Sequence, residues 1–462
     1  TSKTLYRKEF KELVTVAVPL VLAQVAQNTI SFVDTVMVGR LGKEALAGIA
    51  IGSTLFQFIL IVLSGVIIGV SPIVSQATGA KDEDLCGRAT RQGLWIGVLL
   101  FTPAFLLYRN AYPLLIWFNQ SPATALASSE YLKAISWGLL PALWIMGLRG
   151  LLEGKSNTKP IMVISLIGVA LNVFANDALM FGHYGLPKLG LVGTGYASSL
   201  VYGLVFLAFS IYVSHKYSEL HIFSKLRRPD LTTLKEVARV GGPIGMTLAF
   251  EAGMFGAAAF AMGTIGETQL AAHQIALQTA SISFMIPLGL AIATSVRVGQ
   301  AIGAGSPRRA EIAGHAGMLL CIGAMSISGL IFWLLPLPII GMYIDTTVEA
   351  NAPVVAYAVS FLALAALFQV VDGLQVAASG SLRGIKDTKA AMALTLVSYW
   401  LVGCVVGAYL CFGARLEGVG LWIGMTTGLA TAAILLTLRF QFKMRMLKLE
   451  EHSKSPVLTD AN

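Results

Sequence analysis

Four carboxylates stand inside long apolar runs: Asp34 in SFVDTVMVG, Asp177 in LNVFANDALMFG, Glu251 in AFEAGMF and Asp372 in FQVVDGLQ. No Lys or Arg lies near the middle of any such run, so none of the four has an internal basic partner in the sequence. A lone charge is costly in an apolar medium, and each acid must therefore hold a proton, bind a cation or face water. Glu251 and Asp372 both fall near mid-depth of their runs in the second half of the chain, where they are placed to share one site. The alternative is a pair of protonated carboxyls acting as hydrogen-bonding struts. Asp34 lies nearer the end of its run and is either wetted or grouped with Asp177, which follows Asn172 and Asn176. Glu153, Arg149, Arg297, Arg383 and Lys133 stand at helix ends, from which long side chains can snorkel, and read as structural. Phe250, Met254, Phe255, Phe284, Met285, Phe368, Tyr399 and Trp400 either line a cavity for a flat apolar cation, by stacking and cation–π contact, or pack on helices and lipid.

The elements that carry these residues are set by composition. Of 462 residues 56% are hydrophobic and only 12% charged, and the mean hydropathy is +0.74. That excludes a soluble enzyme and a nucleic-acid-binding domain. An all-α integral membrane protein follows, because runs of about 20 apolar residues recur along nearly the whole chain. Twelve spans are expected at 13–38, 46–78, 90–109, 130–153, 160–182, 191–214, 237–263, 269–300, 312–336, 353–382, 390–412 and 418–440. Catalytic chemistry is not indicated. GLLEGKS at 150 has the wrong glycine spacing for a phosphate loop, and the six histidines hold no HExxH pair. His273 in AAHQ reads as a helix-start polar contact. Cys86, Cys321, Cys404 and Cys411 lack metal or disulfide spacing, and the first span lacks a cleavage signature, so it is expected to be retained.

Charge decides orientation. With the N-terminus cytoplasmic, six of the 33 Lys and Arg residues fall outside (Arg40, Lys43, Arg109, Lys133, Lys188 and Arg415) and the other 27 inside. Both termini are then cytoplasmic, and the net charge of +9 needs no polyanionic partner. The polar stretch 215–236 reads as an inter-lobe linker between six-helix lobes at 1–214 and 237–442, with a tail at 443–462. A duplication supports the division. Pro19, Gly39, Gly42, Leu46 and Ala47 fall on Pro243, Gly263, Gly266, Leu270 and Ala271 at an offset of 224, and SPIVSQATGA meets SVRVGQAIGA at the same offset. Gln76 and Gln300 match in these segments and read as hydrogen bonds within each two-helix unit. Later the offset drifts, and GKSNTK at 154 meets GIKDTK at 384. An even number of spans separates the copies, so the pseudo-twofold axis runs along the membrane normal, an arrangement suited to a transporter.

FVDTVMVGRLG, the two SxxVxQAxGA segments and LRGIKDTK together resemble the multidrug and toxic compound extrusion (MATE) transporters, more closely their NorM branch, over essentially the whole chain. The resemblance implies two six-helix lobes in a V that export organic, largely cationic drugs by alternating access against an inward flow of Na⁺ or H⁺. It implies residence in the inner membrane among its lipids, as a monomer with no nucleic-acid partner. By similarity Glu251 and Asp372 are the cation-binding acids, with Na⁺ favoured, and Asp34, Asn172 and Asn176 form the first-lobe polar cluster. The substrate cavity would draw on Phe250, Met254, Phe284, Met285 and Phe368. Two departures stand out: Phe368 replaces an expected Tyr four residues before Asp372, and Asp177 falls one residue after the position where a related branch has its acid, about 100° away on a helix. A flippase for lipid-linked precursors is the runner-up. It would be expected to carry basic residues in its cleft, where this sequence offers acids.

Overall fold

The chain was characterised as a computed structural model that describes residues 2–454, with side chains from Thr4 to Glu451. Among the described residues there are twelve helices long and apolar enough to cross a membrane, and no strands. They are α1 Thr4–Gly39, α2 Lys43–Gly79, α3 Glu83–Arg109, α4 Pro122–Gly154, α5 Lys159–Phe181, α6 Leu191–Lys216, α7 Leu231–Ile265, α8 Glu267–Gly303, α9 Pro307–Leu334, α10 Glu349–Gly384, α11 Thr388–Gly413 and α12 Glu417–Glu451. Helices are the expected solution, since hydrocarbon offers no partner to an unpaired backbone group. Most begin earlier or end later than the apolar runs. α7 starts at Leu231 because Asp230 accepts hydrogen bonds from the Thr232 amide, at 3.1 Å, and from the Thr233 hydroxyl, which caps a polar first turn that hydropathy does not register. Those bonds, the one from the Thr233 hydroxyl above all, also hold the half-buried Asp230 carboxyl below the usual carboxylate range. α12 runs on into the predicted tail, whose last eight residues lie outside the described part of the chain.

The duplication extends to backbone conformation. Lys81 and Gly305 both adopt left-handed φ, at 60° and 68°, at positions 224 apart, and Ser156 and Lys386 do so at 56° and 60° in the matching GKSNTK and GIKDTK turns. α4 and its counterpart α10 are the central helices of the two repeats: α4 packs on α2, α3 and α6, and α10 on α8, α9 and α12. α11 is the irregular member, with π-helical turns over Val397–Cys404 and Tyr409–Gly413. It lies so close to α12 that a Cβ on Gly424 would sit 2.2 Å from the Gly407 Cα. Paired small residues of this kind let membrane helices approach backbone to backbone.

Two compact units emerge. One comprises the chain up to Val18, Gly79–Lys81 and the chain from Phe250 onward; the other comprises Pro19–Thr78 and Asp82–Ala249. In the first, Glu9 is buried at 1% exposure and accepts from Arg297 and Arg309, each at 2.8 Å, while Arg297 also meets Glu12. In the second, the stretch expected as a free linker is strapped to α3. Arg91 donates to the Leu220 carbonyl at 2.8 Å, Trp95 to the Leu226 carbonyl at 2.8 Å, and Arg88 pairs with Asp230 at 3.3 Å. Arg149 and Glu153, expected to snorkel, are buried instead: Arg149 donates to Gln27 at 3.3 Å and pairs with Glu153 at 3.5 Å. Neither guanidinium nor carboxylate needs the interface once each has the other.

Candidate functional site

The first polar cluster joins α1, α5 and α6. Asn172 and Asn176 are one helical turn apart on α5 and fully buried, so both side chains share a face. Asn176 donates to Asp34 at 2.6 Å and approaches the Asn172 oxygen at 3.4 Å, while Ser198 of α6 donates to the other Asp34 oxygen at 3.2 Å. The carboxylate thus has neutral donors on both oxygens. It borders a cavity of about 70 Å³ whose lining includes Ser31, Ser53, Gln57, Tyr131 and Tyr202. That volume holds several waters at ~10–15 Å³ each, yet falls far below the ~300 Å³ at which pockets for drug-sized ligands begin.

The second cluster joins α7, α10 and α11. Glu251 and Asp372 lie within electrostatic range of one another, Arg383 within range of Glu251, and Tyr399 within range of all three. Asp372 is 4% exposed, and its Oδ1 has no hydrogen-bond partner among the described residues. The Oε1 of Gln375, one turn further along α10, and the Tyr399 hydroxyl, carried on the π-helical stretch, are also buried without partners. Tyr399 carries a buried hydroxyl, which Phe368 lacks. Two carboxylates and two neutral oxygens form a donor set that suits a hard monovalent cation. No group of three or more His, Cys, Asp or Glu side chains placed to hold a metal occurs among the described residues, so neutral oxygens would have to complete any such shell.

Several expectations need correction. Asp177 does not join the Asp34 cluster; its position around α5 turns it away, to meet the exposed His183 Nδ1 at 2.9 Å. Glu251 does have a basic neighbour, because Arg383 interacts with it instead of only snorkelling. Met254 and Phe368 are 1% and 3% exposed, and Phe368 packs edge-on against Trp422 at 5.4 Å, which makes both core residues. Phe250, Phe284 and Met285 are half-buried. His273 is fully buried against Trp422, with neither ring nitrogen partnered. Sequence reasoning missed Ser198, Gln375 and the role of Tyr399 as an oxygen donor. A lone Ser, Gln or Tyr in an apolar helix carries no signal of its own, although Gln375 at i+3 from Asp372 shares its face.

The MatE family profile matches residues 19–177 and 243–409, two segments whose starts are 224 apart, as in the duplication. A probable multidrug resistance protein NorM of Pseudomonas aeruginosa is 39% identical over 94% of this chain and 90% of its own length. Another from Mesorhizobium japonicum is 38% identical over 95% of each chain. The crystal structure of the eukaryotic MATE transporter AtDTX14, 23% identical, superposes with a TM-score of 0.84 over 97% of this chain and 100% of that one, a likeness of fold. The resemblance read from FVDTVMVGRLG and LRGIKDTK therefore holds along the chain, which belongs to the MatE family, among its NorM members.

Proposed function

We propose that the protein is a cation-coupled multidrug efflux antiporter of the inner membrane, which exports organic, largely cationic compounds by alternating access as Na⁺ or H⁺ flows inward. The NorM relatives, named as probable multidrug resistance proteins, supply the substrate class. The observation that carries the coupling is the charge balance of the second cluster. Glu251 and Asp372, if both ionised, outnumber Arg383 by one, and the unpartnered oxygens of Asp372, Gln375 and Tyr399 are available to one monovalent cation. A cation held there neutralises the pair, and its release leaves a mutual repulsion that favours another arrangement of α7 and α10. The chain's own groups accept the cation or proton, exclude bulk water and register its loss. Na⁺ is favoured over H⁺ through the NorM kinship and because two neighbouring carboxylates suit a hard cation that takes oxygen ligands.

Ethidium efflux from proteoliposomes with Na⁺ and H⁺ gradients imposed separately tests the reading. Efflux driven by one gradient is expected; none under either would overturn it, and efflux unchanged when choline replaces Na⁺ would remove Na⁺ as the coupling ion. Both termini are proposed to be cytoplasmic, so cysteines introduced near Lys225 and Lys448 are expected to resist impermeant reagents added outside. Labelling of either from outside would reverse the orientation.

A further inference from the structure

His273 is fully buried in the second unit, yet neither of its ring nitrogens has a hydrogen-bond partner among the described residues. Its ring stands edge-on to Trp422, with centroids 5.5 Å apart, and the Trp422 indole N–H is likewise buried and unpartnered. Leaving a buried polar group unpaired costs about 1–3 kcal/mol. Packing alone would be better served by a phenyl ring. One turn before His273 on α8, Gln269 donates to Glu417 at the start of α12 and accepts from the Gly418 amide at 2.9 Å. On the other side Phe361 and Phe368 enclose Trp422, at 6.3 and 5.4 Å, and Asp372 follows one turn beyond Phe368. The imidazole therefore stands between a carboxylate at the end of the helices and the buried acid of the candidate cation site, with a plug of rings between it and the latter.

We propose that His273 is a proton-binding station in the outer half of the second repeat, through which outside pH controls the cation cycle of Glu251 and Asp372. The inference rests on the efflux reading and on its orientation, in which Gln269, His273 and Glu417 face the outside. The ionisable groups around it are few. α8 contributes Glu267 at its start, and α12 contributes Glu417 and no other before Arg439. α10 contributes Asp372 and none between Phe361 and Phe368; α9 contributes none between Met325 and Leu334; α7 contributes Glu251 and none after it. Carboxylates thus lie on both sides, and no cation lies at its own level. A proton taken from outside would leave the imidazolium 5.5 Å from the Trp422 ring, within the range of a cation–π contact. No covalent step is involved: the ring gains a proton from outside water and gives it up again.

The test measures initial ethidium efflux from proteoliposomes at fixed inside pH and fixed Na⁺ gradient while outside pH is varied. Wild type is expected to change at least threefold between about pH 8 and about pH 4, a window wide enough to span the change of charge of a buried imidazole. His273→Gln and His273→Phe, the latter keeping ring packing, are expected to flatten that profile while ethidium affinity and melting temperature stay near wild type. A flat wild-type profile, or a wild-type profile in either variant, overturns the proposal. Wild type without efflux under any gradient instead overturns the efflux reading on which it rests. Should neither variant fold, the pH titration of Trp422 fluorescence in wild type, with Trp422→Phe as the subtraction, decides the matter. A protonated neighbour quenches the indole, and no pH-dependent Trp422 component between those pH values overturns the proposal.

Discussion

The two repeats place different charges at the same points of the fold. An offset of 224 carries Gln27 onto Glu251, and the alignment of GKSNTK with GIKDTK carries Glu153 onto Arg383. In the first repeat the amide of Gln27 accepts from Arg149, which also pairs with Glu153, so the buried charges cancel within a hydrogen-bonded set. In the second an acid replaces the amide, Arg replaces the Glu, and a further acid, Asp372, is added without a compensating cation. One set is balanced in charge; the other is one positive charge short. On the proposed reading a duplicated scaffold thus holds a structural ion pair in one copy and, with a few exchanges of residue type, a cation-responsive site in the other.

Neutralising the second set should have the largest effect. Glu251→Gln gives the second repeat the residue that the first already carries at Gln27, so the scaffold is known to accommodate it. Glu251→Gln and Asp372→Asn are expected to lower gradient-driven ethidium efflux by about 5- to 150-fold, the usual range of a coupling free energy, with the melting temperature in detergent little changed. Near-normal efflux from both would show the acids to be hydrogen-bonding struts and would end the contrast between the repeats.

Glu9 tests the opposite case, an acid whose partners are complete. Held by Arg297 and Arg309 at 1% exposure, it behaves as a structural charge. Glu9→Gln leaves Arg309 without its carboxylate while Arg297 keeps Glu12, and should cost less than the about 3–5 kcal/mol of a fully buried pair. The readout is a lower melting temperature, while protein that remains folded keeps the wild-type half-saturating cation concentration. A changed cation dependence with unchanged stability would move Glu9 into the functional class.

Arg383 should have a smaller and more specific effect. On the proposed reading it competes with the coupling ion for Glu251, on which it acts electrostatically, so Arg383→Gln is expected to lower the half-saturating cation concentration by roughly the factor of ten that corresponds to 1.4 kcal/mol. Maximal efflux should fall because release is slower. An unchanged half-saturation value would mean that the guanidinium only snorkels.

Much of this architecture was legible in the sequence because hydrocarbon imposes simple rules. The twelve spans, the repeat and the Asp34, Asn172 and Asn176 grouping each rest on a pattern: apolar length, a fixed offset, and a family motif that the i, i+4 spacing supports. What escaped has physical causes as well. Arg149 and Glu153 looked like snorkelling end residues because a sequence does not reveal that Gln27, more than a hundred residues away, closes their hydrogen bonds. Tyr399 looked like one more aromatic residue because a π-helical turn changes which way a side chain projects, and no spacing rule for regular helices anticipates it. His273 reads as a helix-start polar contact because its position near a helix start says nothing about the Trp422 ring brought over it from α12.

Asp34 provides the comparison between lobes at moderate effect. Its oxygens accept from Asn176 and Ser198, so the charge is already met by neutral donors beside a small polar-lined cavity. Asp34→Asn should cost about 1–3 kcal/mol of stability through the mismatched amide and reduce efflux by less than either second-repeat variant. A loss equal to that of Glu251→Gln would spread ion coupling over both repeats.

The smallest effect belongs to Asp177, and it separates sequence proximity from shared function. Asp177 follows Asn176 directly, but one residue on a helix turns a side chain by about 100°. Its carboxylate consequently meets His183 Nδ1 at 2.9 Å on the exposed side of α5, not Asp34. An exposed pair of this kind contributes about 0–1 kcal/mol and weakens further as salt rises. Asp177→Asn is therefore expected to leave efflux, cation half-saturation and melting temperature within error of wild type at both low and high salt. If it instead matched Asp34→Asn in transport, the first cluster would have to extend around α5 in some state of the transport cycle. The contrast between a first site whose carboxylate is met by neutral donors and a second with an excess acid would then have to be drawn again from that state.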